Sequence, residues 1–265
     1  MSGDETVVLI ASIALALVGW GGWFSVLACA NRLLGGGAIR ALLGIAPPVC
    51  VAILWVLLRC WAASDVRDST TYLAMYTALG AAWIMLATAA LGCLGISARD
   101  DAVERRNVSA ACAVAGGLLG ATFSFAGANF GSGPGWWVVV FSALLSTGGL
   151  LLVWLLIQAA SDAFETITVE RDVAAGVRVG CALAAAGIIL GRSAAGDWQS
   201  AGQTALDFVE LAWPVLGLVA VEIALAWLLR PAPDRVRAPL VMAGLLPGVA
   251  YLACAAWYVA ARGWW

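Results

Sequence analysis

Eight long apolar stretches, separated by short polar connections, leave this chain few folds to choose from. They cover roughly residues 7–30, 41–62, 71–95, 108–129, 136–159, 173–195, 204–229 and 238–261. Each has the roughly 20 residues that a helix needs to cross a bilayer core. Backbone N–H and C=O groups in hydrocarbon must be satisfied within the chain, so stretches of this length are helices. The ten-residue alternating strands of a membrane barrel are absent. The expected fold is an all-α, polytopic integral membrane bundle of about eight transmembrane helices, one membrane domain over residues 1–265.

Composition agrees. Hydrophobic residues make up 63% of the chain and charged residues 11%, against about 25% charged in a soluble domain. Membrane lipid is therefore its expected solvent. The net charge of −2 and the lack of a basic face exclude nucleic acid as a partner. Histidine and lysine are both missing, so all 14 basic residues are arginines. That removes the commonest general base, the commonest metal ligand and any Schiff-base lysine. No metal, no cofactor and no enzymatic activity are expected. Cys29, Cys50, Cys60, Cys93, Cys112, Cys181 and Cys254 form no CxxC pair, and nearly all lie in apolar stretches. They are expected to pack as small hydrophobes without disulfides. The acidic start, Met1 to Thr6, lacks the basic region of a secretory signal, so the first stretch is expected to be retained.

Arginines set the expected orientation. Arg32, Arg40, Arg99, Arg105, Arg106, Arg171, Arg230, Arg235 and Arg237 follow odd-numbered stretches; Arg59, Arg67 and Arg262 lie on the opposite side. The positive-inside rule then puts both termini outside. Trp61, Trp136, Trp137, Trp198, Trp264 and Trp265 fall near the outer ends, and Trp23, Trp154 and Trp227 near the inner ends, as an aromatic belt would.

A repeat is also legible. Stretches four, six and eight begin at Val108, Val173 and Ala238, each 65 residues apart. Asn107 and Asp172 precede two of these starts at the natural N-cap position. The unit is a two-helix hairpin used four times in tandem, over about 1–66, 67–131, 132–196 and 197–265, with all copies in one orientation. The even-numbered stretches carry the GxxxG pairs Gly116/Gly120, Gly176/Gly180, Gly187/Gly191 and Gly244/Gly248. Such pairs let helix backbones approach closely. An inner layer of even helices is expected, with the odd helices facing lipid.

The run from Asn107 (Asn-Val-Ser-Ala-Ala, then Gly-Gly-Leu-Leu-Gly) and the run from Glu170 to Trp198 resemble a bacterial inner-membrane family known as domain of unknown function three-fifty. The resemblance covers about residues 100–260; Arg40 and Pro47-Pro48 depart from the family's opening. It implies paired hairpins whose every second helix opens with Asn or Asp and two alanines. It also implies a bacterial inner-membrane location and company with membrane-stress or membrane-remodelling proteins, and it carries no catalytic residues.

Ionisable groups inside a span cost about 2.5–3.5 kcal/mol each on insertion scales. Here they gather in stretches six and seven: Arg178 and Arg192, then Asp207, Glu210 and Glu222. Arg178 and Arg192 fall within about 40° on their helix, and the three acids within an arc of about 120° on theirs. Equal distance from a turn near Ser200 means equal depth. Arg178 is thus expected to pair with Glu222, and Arg192 with Asp207 or Glu210. Pro214 breaks the ladder of stretch seven and frees the Glu210 carbonyl; Pro47-Pro48 and Pro247 should kink stretches two and eight. Two readings of the charges stay open. They are structural glue that fixes helix register, or a polar pathway for an ion or proton. The first makes the chain a non-enzymatic subunit or scaffold of a bacterial inner-membrane assembly, partnered by other membrane subunits or by copies of itself. The second makes it a small ion or solute channel or transporter.

Overall fold

Where the sequence sets a short polar residue before an apolar run, a helix begins. A computed structural model describes residues 1–34, 37–230 and 238–263, with the backbone alone for 30–34. Arg235, Arg237, Trp264, Trp265 and the side chain of Arg32, which entered the orientation and belt readings, lie outside the described residues. The long helices are α1 (Gly3–Leu34), α2 (Gly37–Trp61), α4 (Thr70–Cys93), α5 (Val108–Gly127), α6 (Trp136–Ala160), α8 (Val173–Ala194) and α11 (Leu246–Arg262), the last preceded by a π-helical turn over Val241–Leu245. Short helices α3 (Ser64–Arg67) and α7 (Ala163–Thr168) and a second π turn (Ala98–Glu104) occupy connections. Ser69, Asn107 and Asp172 cap α4, α5 and α8 by accepting hydrogen bonds from backbone N–H groups of the first turn, each worth about 1 kcal/mol.

Seven helical segments are long and apolar enough to cross a membrane, and no strand occurs among the described residues. The seventh expected stretch is two helices, α9 (Ala201–Ala212) and α10 (Pro214–Leu228), bent by 43° where Pro214 follows Trp213. Taken as one span, the pair makes eight. By contrast, α2 continues as a single helix through Pro47 and Pro48.

Helices α2, α5, α8 and α11, the last with its π turn, stand in a row, each packed on the next. Helices α4, α6, α9 and α10 pack on this row, and α1 packs on α4. The two middle members, α5 and α8, are buried along most of their length, whereas α2 and the segment ending in α11 are buried along a third or less. This corrects the expected inner layer. Two even helices form the centre and two form its flanks, and α4 and α6 are more buried than those flanks. Trp154 is likewise corrected: it is buried, donating from Nε1 to the Leu94 carbonyl, rather than lying in a belt.

Helices α5 and α8 run in the same direction, and glycine decides how close they come. A methyl at Gly116 would overlap the Gly180 backbone, one at Gly187 the Gly120 backbone, and one at Gly176 the Ser109 carbonyl. Gly120 lies against Leu183, Gly180 against Cys112 and Gly191 against Phe123. Backbones in contact gain dispersion without burying a flexible side chain. Both ends of this seam are tied. At the N-terminal end Ser109 Oγ donates to the Asp172 carbonyl at 2.5 Å, and Asn107 Nδ2 to the Ile167 carbonyl at 2.7 Å. At the other end Gly196 N donates to Phe130 O at 2.7 Å and Trp198 N to Ser132 O at 2.8 Å. Gly244 and Gly248 serve the neighbouring contact, against Ala174 and Cys181 of α8.

Candidate functional site

Arg178 lies in the second turn of α8, on the side that faces α10 and the π turn before α11. Its Nε donates to both carboxylate oxygens of Glu222 on α10, at 2.9 and 3.0 Å. Its Nη1 donates to the Ala243 carbonyl in the π turn at 2.9 Å. Tyr251 of α11 donates its hydroxyl to Glu222 Oε2 at 2.8 Å. Arg178 is 3% exposed and Glu222 is fully buried. One guanidinium and one carboxylate thus tie three helical segments together.

Local structure makes the meeting feasible. Val215, Val219 and Glu222 form the buried stripe of α10, so the acid sits on the face that packs inward. Gly244 and Gly248 bring the π turn and α11 close to α8, which puts the Ala243 carbonyl in reach. π turns are rare and recur at functional sites. Toward the end of the bundle where α8 starts, a cleft of about 10 Å³ lined by Asp162, Asp172, Arg178, Trp227 and Arg230 approaches the pair. It has room for about one water, and Arg230 and Asp162 of its lining form an ion pair at 2.5 Å.

The outer pairing is not formed. Arg192 donates from Nε to the Gly263 carbonyl and from Nη2 to the Arg262 carbonyl at 3.5 Å. A helix leaves its last four carbonyls without intrahelical partners, and a guanidinium satisfies both their lone pairs and the negative end of the helix dipole. The acids meanwhile turn away. Phe208 is the α9 residue buried against the bundle. At about 100° per residue, Asp207 and Glu210 point off that face. Asp207 accepts from Gln203 Nε2 at 2.6 Å, and Glu210 is exposed. Equal depth does not fix which face a residue takes, and α9 packs through Phe208 rather than through its acids.

Two polar side chains of α6 also bond across helices. Ser146 Oγ donates to the Ser124 carbonyl across helices at 3.0 Å, and Thr147 Oγ1 accepts from Trp83 Nε1 at 2.9 Å. All seven cysteines are free. Among the described residues no group of three His, Cys, Asp or Glu side chains could hold a metal ion. Tyr251 and the Ala243 carbonyl were not anticipated from the sequence. The one available signal was the repeat spacing, since Ala243 follows Arg178 by 65 residues. No family model, curated protein or solved structure matches this chain.

Proposed function

We propose that this chain is a non-enzymatic, multi-pass subunit or scaffold of a bacterial inner-membrane assembly, with eight crossings, four tandem hairpins and both termini outside. The observation that carries the scaffold role is that Arg178 and Glu222 are held by partners on three helical segments of the protein. Its members are spent on each other, on Tyr251 and on the Ala243 carbonyl. A relay or coordination site needs a group free to exchange its partner, and a continuing row of polar groups across the membrane. Arg192, Asp207 and Glu210 do not continue the row. The cluster therefore acts as a clamp that holds α8, α10 and α11 in register, which gives a rigid body suited to docking other membrane segments.

A second reading, a small ion or solute channel or transporter, draws on the cleft that reaches Arg178 from one end of the bundle. Proteoliposomes containing the purified full chain separate the two. The scaffold reading expects no wild-type flux of protons, sodium or potassium above empty liposomes, together with a large loss of thermal stability in Glu222→Gln. Wild-type flux that Glu222→Gln abolishes without lowering the melting temperature would overturn it.

A further inference from the structure

On the face of the helix row away from α4 and α6, the molecule carries a groove of about 370 Å³. Its floor is the seam of α5 and α8, its walls include Leu42 of α2 and Leu252 of α11, and its lining is almost wholly apolar. Cys112, Leu119 and Phe123 mark its length on α5, and Val177 and Ile188 on α8. At 1.5 Å per residue the groove runs about 16 Å along both helices. That is about the depth of one leaflet of a bilayer with a core of about 30 Å. The groove begins roughly one helical turn inside the starts of α5 and α8, at Val108 and Val173.

Just before those two starts stand Arg106 and Arg171. Both are exposed, and neither side chain makes an ion pair or hydrogen bond among the described residues. Three neighbouring acids are engaged. Glu104 is held by Arg99, Asp101 by Arg105, and Asp172 caps α8. Glu170, next to Arg171, turns its Oε2 into the protein. Two exposed guanidinium groups thus stand at the end of the seam where the groove begins, six residues before its first lining residues, Cys112 on α5 and Val177 on α8.

We propose that this groove binds an anionic phospholipid, its phosphate between Arg106 and Arg171 and an acyl chain along the α5–α8 seam. A guanidinium presents a fork of donors that matches phosphate oxygens. The lining has no groups to satisfy water, so an aqueous ligand gains nothing there. The proposal rests on the membrane-embedded part of the reading above and is independent of the scaffold role.

The test is native mass spectrometry of the full chain released from nanodiscs of phosphatidylglycerol and phosphatidylcholine mixed in equal amounts. Wild type is expected to retain one phosphatidylglycerol per chain, about 25-fold over phosphatidylcholine, from roughly fivefold per arginine. Arg106→Gln with Arg171→Gln should lower that preference to near unity without changing the melting temperature, because both residues are exposed. Ala115→Trp, which fills the groove from α5, should reduce retention of both lipids. Equal retention of the two lipids by wild type overturns the proposal, and so does an unchanged preference in the double arginine variant. Lipid-free dimers would mean that a second copy covers the groove and would overturn it too. Failure of the protein to enter nanodiscs would instead overturn the embedded reading on which it stands.

Discussion

Arg178 reaches both carboxylate oxygens of Glu222 through a single nitrogen, Nε, which leaves Nη1 for the Ala243 carbonyl. That division of donors turns an ion pair into a three-way junction. It also sets how the junction should fail.

Removing one charge strands the other. Glu222→Gln or Arg178→Gln alone should destabilise the protein by about 3–5 kcal/mol, the usual result of leaving a buried charge uncompensated. The double variant should be milder than either single one, because no charge remains orphaned. Thermal unfolding in mild detergent provides the readout. Losses that simply add in the double variant would show that the two residues do not act as a pair.

Tyr251→Phe removes one donor from the Glu222 carboxylate and leaves the arginine in place. The expected loss is about 1.5–3 kcal/mol, as for hydrogen bonds to charged groups. In the background of Glu222→Gln the same substitution should lose most of its effect. An effect of the same size in both backgrounds would place the hydroxyl outside the network.

The α5–α8 seam should tolerate no added volume. Gly116→Ala and Gly187→Ala each drive a methyl into opposing backbone, and overpacking of this kind costs about 1–3 kcal/mol. Gly217→Ala is the control, since an added methyl there meets nothing within 4 Å. It should leave the melting temperature unchanged or slightly raise it, through better helix propensity. Equal melting temperatures for Gly116→Ala and Gly217→Ala would argue against backbone contact at the seam.

Arg192 holds the end of α11, and this separates it from the acids it was expected to meet. Arg192→Gln should raise amide exchange over residues 258–262, where the last carbonyls lose their donor. Asp207→Asn and Glu210→Gln should not lower the melting temperature, because neither acid holds a cationic partner among the described residues. A large loss in either acid variant would restore the outer pairing.

The parts legible in the sequence are those governed by local rules. Apolar length marked the helices, and the short polar side chains of Asn107 and Asp172 marked the starts of α5 and α8. The inner pairing of Arg178 with Glu222 was counted from the turn near Ser200, and it forms although that count crosses the bend at Pro214. Depth alone leaves the facing of each side chain open. Trp213 and Pro214 turn α9 away from the axis of α10, so Asp207 and Glu210 take a face that counting residues could not assign. The partners of Arg192 are backbone carbonyls some 70 residues away, and a carbonyl leaves no mark in a sequence. Tyr251 escaped notice for a related reason: one hydroxyl on an apolar helix resembles a packing residue until its neighbour is known to be charged.

The hydrogen bonds that close both ends of the α5–α8 seam bear on how the molecule meets bilayers of unequal thickness. A pair of helices locked by interleaved backbone along its length and pinned at top and bottom resists sliding, so its two members must tilt together. Thinning or thickening of the bilayer is accommodated by tilt, bending or local distortion of lipid, at fractions of a kcal/mol per Å. In this chain that compliance falls to the periphery, to α1, little of which is buried, and to the jointed pair α9 and α10. In the embedded reading the centre behaves as a stiff post, and the outer helices yield first.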